Sequence, residues 1–402
     1  MTDGIGADAD GCDLGDERLN ARYRLLLDGL ADQPGRSIPA ACRGDAEVDA
    51  AYRVLDNPKV TPAKLLAPHR AAALRRMAAE KVVVVAQDTT AIDLTRPTRV
   101  VGGPLSEGYR RGFYSHTLLA LTPAGVPLGV LADRTWARNP DTVGRSKRDR
   151  ERTPLTDKES VRWVDGYRTC CDAARATPGV QVVCVSDSDG DLYEAFVEAE
   201  RQGHAARFVV RACHDRRLAG ADGQFLRDTA AAAPVLATRA VEVSARPGKP
   251  SETRVRRKAR GERQAVLTVR AVTVTPRPPL RPDGRLPAAS VTAVLAREEN
   301  PPPGEEAIEW LLLTDLPAGT AAEAERVLDV YTLRWQIEVF FRVLKSGCGV
   351  EKLQLETAER VLNALAIYRV VAWRVLRLTM LGRATPEVPC EVVLSESEWK
   401  AV

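Results

Sequence analysis

The chain of 402 residues carries 58 Lys and Arg against 54 Asp and Glu, a net charge of +4, with 45% hydrophobic and 28% charged residues. That balance excludes a disordered or fibrous protein and leaves room for two or three domains. The small basic excess does not select a partner, because nucleic-acid binding depends on where charge sits rather than on its sum.

Residues 1–20 are acidic with no apolar run, so neither a secretory signal nor a transit peptide is expected, and the expectation is a cytoplasmic protein. Residues 16–79 are rich in Ala, Leu and Arg at helical spacing, broken at Pro34-Gly35 and Pro58, and predict a small helical module. Lys81 then precedes VVVVAQDTT, a β-branched run suited to a strand buried on both faces, which Asp88 is expected to end. Segments 114–121 and 126–131 flank Thr122-Pro123-Ala124-Gly125 and predict an antiparallel hairpin. A highly charged loop follows. Beyond it come a helix through Trp163 and Tyr167, a strand at 180–185, a helix at 191–201 and a strand at 207–211. This order indicates an α/β core.

Between residues 213 and 315 the texture changes to β segments separated by Pro-rich joins, read as a β-rich insertion. A helix over 321–345 returns to the core, and a second long helix runs from 356 to 381. The apolar stretch 361–381 is interrupted by Asn363, Arg369, Arg374 and Arg377, which favours a buried core helix over a membrane span. Eight scattered cysteines with no C-x-x-C pair, and only four histidines, argue against a zinc site or disulfide framework and predict buried reduced thiols.

Three places could carry chemistry. Asp88 at the carboxyl end of a core strand could face a ligand, or simply begin a turn. Asp187, Asp189, Asp191 and Glu198 imitate part of a calcium loop, but Leu192 stands where such a loop needs Gly and a strand, not a helix, precedes it. Asp191 is then expected to cap the following helix, leaving Asp187 as a second carboxylate at a strand tip. The third is YTLRWQIEVFFRVLK, where separations of three, four and seven align Tyr331, Arg334, Glu338 and Lys345 along one helix side. Trp335, Ile337, Phe340, Phe341, Val343 and Leu344 surround that stripe, so a largely buried helix with a charged partner is expected.

Asp88 with its Thr-Thr, Asp187 ahead of Asp191, and the spacing Y-x2-R-x3-E-x6-K together resemble the D-D-E transposases of the insertion sequence four family. The likeness extends to the transposase of the bacterial composite kanamycin-resistance transposon and runs over nearly the whole chain. Leu14-Gly15-Asp16, Ala51-Tyr52-Arg53 and Asn57-Pro58 resemble its N-terminal DNA-binding module, and Phe208–Arg211 with Trp310–Thr314 match further landmarks. The resemblance implies a ribonuclease-H-like mixed-sheet α/β core at 80–212 and 316–402, a β-rich insertion at 213–315 and an N-terminal helical DNA-binding module at 1–79. It implies that Asp88, Asp187 and Glu338 bind two Mg²⁺ or Mn²⁺ ions. Oxygen donors without Cys or His suit such ions, and three converging carboxylates would otherwise repel.

By the same resemblance Tyr331, Arg334 and Lys345 contact DNA phosphates, and Trp310 stacks a flipped base during a hairpin intermediate. Two readings stay open for Trp310, the other being an ordinary core tryptophan, and two for Arg211, a phosphate contact or an ion partner. Residues 246–263 hold eight basic residues against two acids, including Arg256, Arg257 and Lys258, and are expected on a DNA path. The run at 145–152, which contains Asp149 and Glu151, is a weaker candidate. The implied function is cut-and-paste transposition: binding of terminal inverted repeats, cleavage, and joining to target DNA, by a homodimer on two DNA ends near the bacterial nucleoid. A catalytically idle or inhibitory DNA-binding relative and a metal-dependent nuclease remain the alternatives. The family usually continues into a helical C-terminal domain that pairs subunits, and this chain stops at Val402.

Overall fold

The computed structural model describes residues 5–96, 101–106, 109–142, 144, 146, 149, 152–220, 223–246, 259–282, 284–392 and 394. It divides into two units, Met1–Cys184 with Leu333–Val402, and Val185–Thr332.

The first unit is built on strand β1 (Val82–Asp93), whose residues 83–87 are buried on both faces, as the β-branched run requires. β3 (Arg111–Leu121) pairs with it antiparallel, setting Asp88 opposite Thr117. β4 (Pro127–Trp136) pairs with β3 on the far side, and the two-residue β2 (Gly103–Pro104) adds to the same edge. Helix α5 (Val161–Ala176) then leads to β5 (Gln181–Ser186), which lies beside β1, with Gln181 N–H donating to Lys81 O at 2.9 Å. The order β4-β3-β1-β5 with a helical crossover is that of a ribonuclease-H-like mixed sheet. β1 departs from expectation by continuing five residues past Asp88, so Asp88 lies within a strand and not at its end.

Helices α1 (Glu17–Asp32), α2 (Ile38–Ala41), α3 (Asp45–Asp56) and α4 (Pro62–Met77) form the expected N-terminal helical region. The quoted Leu14-Gly15-Asp16 has a physical basis here. Leu14 is fully buried, Gly15 takes φ +81°, which favours glycine, and Asp16 accepts from Arg18 N–H to cap α1.

The apolar stretch near the C-terminus is helix α10 (Ala358–Ala384), a core helix whose polar interruptions have partners. Asn363 donates to Leu55 O, Arg369 reaches Asp133 at 2.9 Å, and Arg377 donates to Pro127 O. Among the described residues no helix is long and apolar enough to cross a membrane.

The second unit pairs β6 (Arg207–Arg211), β12 (Glu309–Thr314), β11 (Val291–Glu298), β8 (Arg263–Val274) and β7 (Val235–Val243) in that order, all antiparallel. It adds α6 (Tyr193–Arg201), α7 (Leu226–Ala232), α8 (Ala321–Thr332) and a small hairpin, β9 (Leu280–Arg281) with β10 (Gly284–Arg285).

Three local expectations are corrected. Asp191 does not cap α6, since Leu192 holds that position; its buried carboxylate instead accepts from Cys213 N–H, His214 N–H and Arg216. The helix expected over 321–345 is split, with α8 ending at Thr332 and α9 (Trp335–Arg342) running into a π-helical turn, Val343–Gly347. Burial of the thiols holds for five cysteines only: Cys42 is half-buried, and Cys213 and Cys390 are exposed.

Candidate active site

Asp88 is placed by β1, and its Oδ1 accepts from Thr89 N–H at 2.6 Å. Glu338 is placed by the first turn of α9, with Ile337, Phe340 and Phe341 buried beneath it. Both belong to the first unit, where one side chain joins them. Arg334 donates from Nη2 to Glu338 Oε1 at 2.7 Å and from Nη1 toward Asp88 Oδ2 at 3.4 Å. The side chains of Arg334, Asp88 and Glu338 are 14%, 17% and 34% exposed, so the cluster is sheltered but reachable. The i to i+4 Arg–Glu pair would contribute only about 0.3–0.5 kcal/mol on a solvated helix. Here the same guanidinium also faces a carboxylate from another element, and removing it would leave two partly buried negative charges side by side.

The split helix explains this geometry. An uninterrupted helix would make Arg334 a mid-helix residue, whereas here it occupies the position before α9, with Ile337 N–H closing onto its carbonyl. Trp335, expected as buried bulk, is instead 54% exposed. The π-helical turn shifts Lys345 out of ideal helical register with Glu338. Lys345 lies 3.9 Å from Glu351 Oε1, which also accepts from Asp93 N–H at the end of β1. Burial lowers the Lys345 pKa below the ordinary lysine value, against the opposing pull of Glu351 and Asp93. Glu351 has no sequence motif to announce it, because its role depends on β1 arriving beside it.

Behind Asp88 runs a continuous hydrogen-bond chain. Arg162 on α5 donates to Thr89 Oγ1 at 2.8 Å, Thr89 meets His116 Nδ1 at 2.9 Å, and His116 Nε2 meets Gln87 Oε1 at 3.1 Å. Gln87 Oε1 can only accept, so Nε2 carries the hydrogen and donates to it, and Nδ1 accepts from the Thr89 hydroxyl. Burial, reinforced by Arg162 and Arg134, pushes the His116 pKa down to about 3, so this imidazole is neutral at ordinary pH. Gly166 permits the approach of α5, since a Cβ there would stand 2.1 Å from Gln87 Oε1. None of Gln87, His116, Arg162 or Gly166 stands out as a motif.

The remaining predicted residues belong to the second unit. Asp187 directly follows β5 and accepts from Asp189 N–H at 2.9 Å, capping a short 3₁₀ turn. Tyr331 is buried at the end of α8, with its ring 6.0 Å from that of Trp310 in an edge-to-face arrangement. Trp310 is half-buried on β12 and, with Arg211, Arg246 and Arg260, lines a cavity of about 370 Å³ that also has Glu305, Glu306 and Glu309 in its wall. Arg211 is exposed at the end of β6 and donates to Glu309 O at 3.4 Å. Arg256, Arg257 and Lys258 lie outside the described residues, as does most of the 145–152 run.

The family described as Transposase DDE domain matches residues 129–373, more than half of the chain. The chain belongs to the DDE transposases. The family described as Transposase DNA-binding matches residues 5–60, covering α1 and α3. One similar solved structure is a piggyBac transposase synaptic complex with hairpin DNA, at 9% identity and a TM-score of 0.35, covering 92% of this chain and 67% of that one. This transposase thus carries a DNA-binding module within its first unit and a DDE domain that spans parts of both units.

Proposed function

We propose that this DDE transposase is of the insertion sequence four branch and performs cut-and-paste transposition through Asp88, Asp187 and Glu338. The observation that carries the reading is the sharing of one guanidinium by Asp88 and Glu338 within a DDE domain. Two carboxylates served by one cationic group can be served by a metal cation, and a donor set of carboxylate oxygens suits Mg²⁺ or Mn²⁺. Asp88, Asp187 and Glu338 would hold two such ions, which when bound would balance charge on the attacking and leaving oxygens of an in-line phosphoryl transfer.

The other roles follow from the side chains. Arg334, released from the two carboxylates, binds a DNA phosphate near the cleaved bond, and Lys345 a neighbouring one. Tyr331 supplies a hydroxyl donor. Trp310 receives an unstacked base at its cavity, where Arg211 holds the adjoining phosphate, which relieves the strain of a hairpin intermediate. A homodimer pairs the two transposon ends.

The test uses the full chain and DNA carrying the terminal repeats that flank its gene. Mg²⁺-dependent nicking and joining are expected, and both vanish in Asp88→Ala, Asp187→Ala and Glu338→Ala while DNA binding persists. Nicking without any joined product would indicate a nuclease instead. Activity that survives in any of the three variants would remove that residue from the site.

A further inference from the structure

The second unit also holds a cavity of about 500 Å³ whose wall is dominated by arginine and shares no residue with the proposed catalytic set. Two backbone devices assemble it. Leu218 and Pro276 form an antiparallel bridge, with Arg277 N–H donating to Arg217 O at 2.7 Å and Ala219 N–H to Thr275 O at 2.8 Å. Arg217 and Arg277 therefore spring from paired backbone. The β9–β10 hairpin adds Arg281 and Arg285, and Tyr193 fastens its flanks through hydroxyl contacts with Pro276 O and Pro287 O.

Among the described residues the charges lining this cavity do not balance. Arg216 is held by the buried Asp191, and Arg281 forks onto Glu194 at 2.6 and 3.2 Å. Those two pairs stiffen the wall while leaving it neutral. Arg217 lies over the Phe225 ring and Arg285 donates to Pro278 O at 2.8 Å, contacts that leave both charges in place. Among the described residues Arg217, Arg277 and Arg285 form no ion pair with a carboxylate, and all three are exposed. Three like charges around one cavity repel each other unless an anion is shared.

We propose that this cavity cradles the phosphodiester backbone of duplex DNA, as a positioning site separate from the catalytic residues. The inference rests on the transposase reading. Guanidinium forks match phosphate oxygens in pairs, and their spread along two chain segments and a hairpin suits successive phosphates better than one compact anion. The adjoining Pro278, Pro279 and Leu280 offer apolar surface to deoxyribose.

The experiment measures affinity of the full chain for a terminal-repeat duplex between 50 and 200 mM salt, for wild type and for the R217Q/R277Q/R285Q variant. Each lost phosphate contact should reduce the slope of log affinity against log salt by about 0.9. A slope shallower by about 2 to 3 is therefore expected, with at least tenfold weaker binding at low salt. Thermal unfolding checks that the variant folds, and Arg277→Lys, which keeps the charge, should leave the slope nearly unchanged. Unaltered slope and affinity in the triple variant would overturn the inference alone, whereas a wild-type chain that binds no DNA would overturn the transposase reading and this site with it.

Discussion

Arg334 holds two carboxylates at once, and that arrangement makes it the natural competitor of a bound cation. In chelator, Arg334→Ala takes away the guanidinium that Asp88 and Glu338 share in a sheltered site. Hydrogen bonds to charged groups contribute roughly 1.5–3 kcal/mol, so a loss of stability of that order is expected in a denaturant titration. Added Mn²⁺ should raise the melting temperature of this variant more than that of the wild type, because the ion no longer competes with a guanidinium. Equal gains in both proteins would show that Arg334 does not stand in for the ion. The identities of Asp88, Arg334 and Glu338 were legible in the sequence as residue types at motif spacing. Their sharing of one guanidinium was not, because Asp88 and Arg334 are separated by most of the chain and meet only when β1 and α9 pack in the same unit.

β1, β3 and α5 are tied together by the chain from Arg162 through Thr89 and His116 to Gln87, and this contact has a pH signature. The His116 pKa is depressed in the folded state to about 3, below the ordinary 6.5. The unfolded chain therefore takes up a proton below about pH 6.5 that the folded chain refuses until about pH 3. Stability is full above pH 6.5 and falls as pH drops through that window, by up to about 1.4 kcal/mol per pH unit from this group. Unfolding free energies measured at pH 7 and pH 5 should differ less in His116→Gln than in the wild type. An identical pH dependence in the two proteins would mean that His116 is protonated at little cost in the folded protein.

The first core strand was legible because a strand buried on both faces must be apolar on both, and the run 82–86 is apolar throughout and β-branched but for Ala86. The break between α8 and α9 was not, since no Gly or Pro marks Leu333 or Arg334. Nor was the π-helical turn, whose extra residue depends on what Leu344 and Cys348 pack against. Asp191 misled for a related reason. An aspartate ahead of a helix is usually its cap, but here the backbone of 213–214 and the Arg216 side chain supply better donors.

The DNA-binding module is bound into the first unit rather than appended to it. His69 on α4 is fully buried, with Nδ1 2.7 Å from Asp8 Oδ1 and Nε2 accepting from Val130 N–H on β4 at 2.9 Å. Tyr23 on α1 donates to Leu65 O, and Asn363 on α10 donates to Leu55 O. Buried polar ties of this kind make elements open together. Hydrogen exchange should therefore give α1, α4 and β4 amides the same opening free energy in the wild type. In His69→Ala, which leaves Asp8 with Arg76 alone and takes the acceptor from Val130 N–H, that common value should fall by about 1–3 kcal/mol. Exchange of α1 through a separate, easier opening would show the module to be independent.

Read along one dimension, the sequence shows residue types and their periods: acidic side chains in or just after apolar runs and on a helix, arginines and a tryptophan, and apolar runs long enough to be core. Those features survive in sequence because they depend on side-chain type and local period. Which charges neutralise one another could not be read there. Arg334 and the Asp88–Glu338 pair, Lys345 and Glu351, and the partition of cavity arginines into paired and uncompensated all depend on distances between remote segments. Electrostatic energy follows separation in space, and only the packed chain sets that separation.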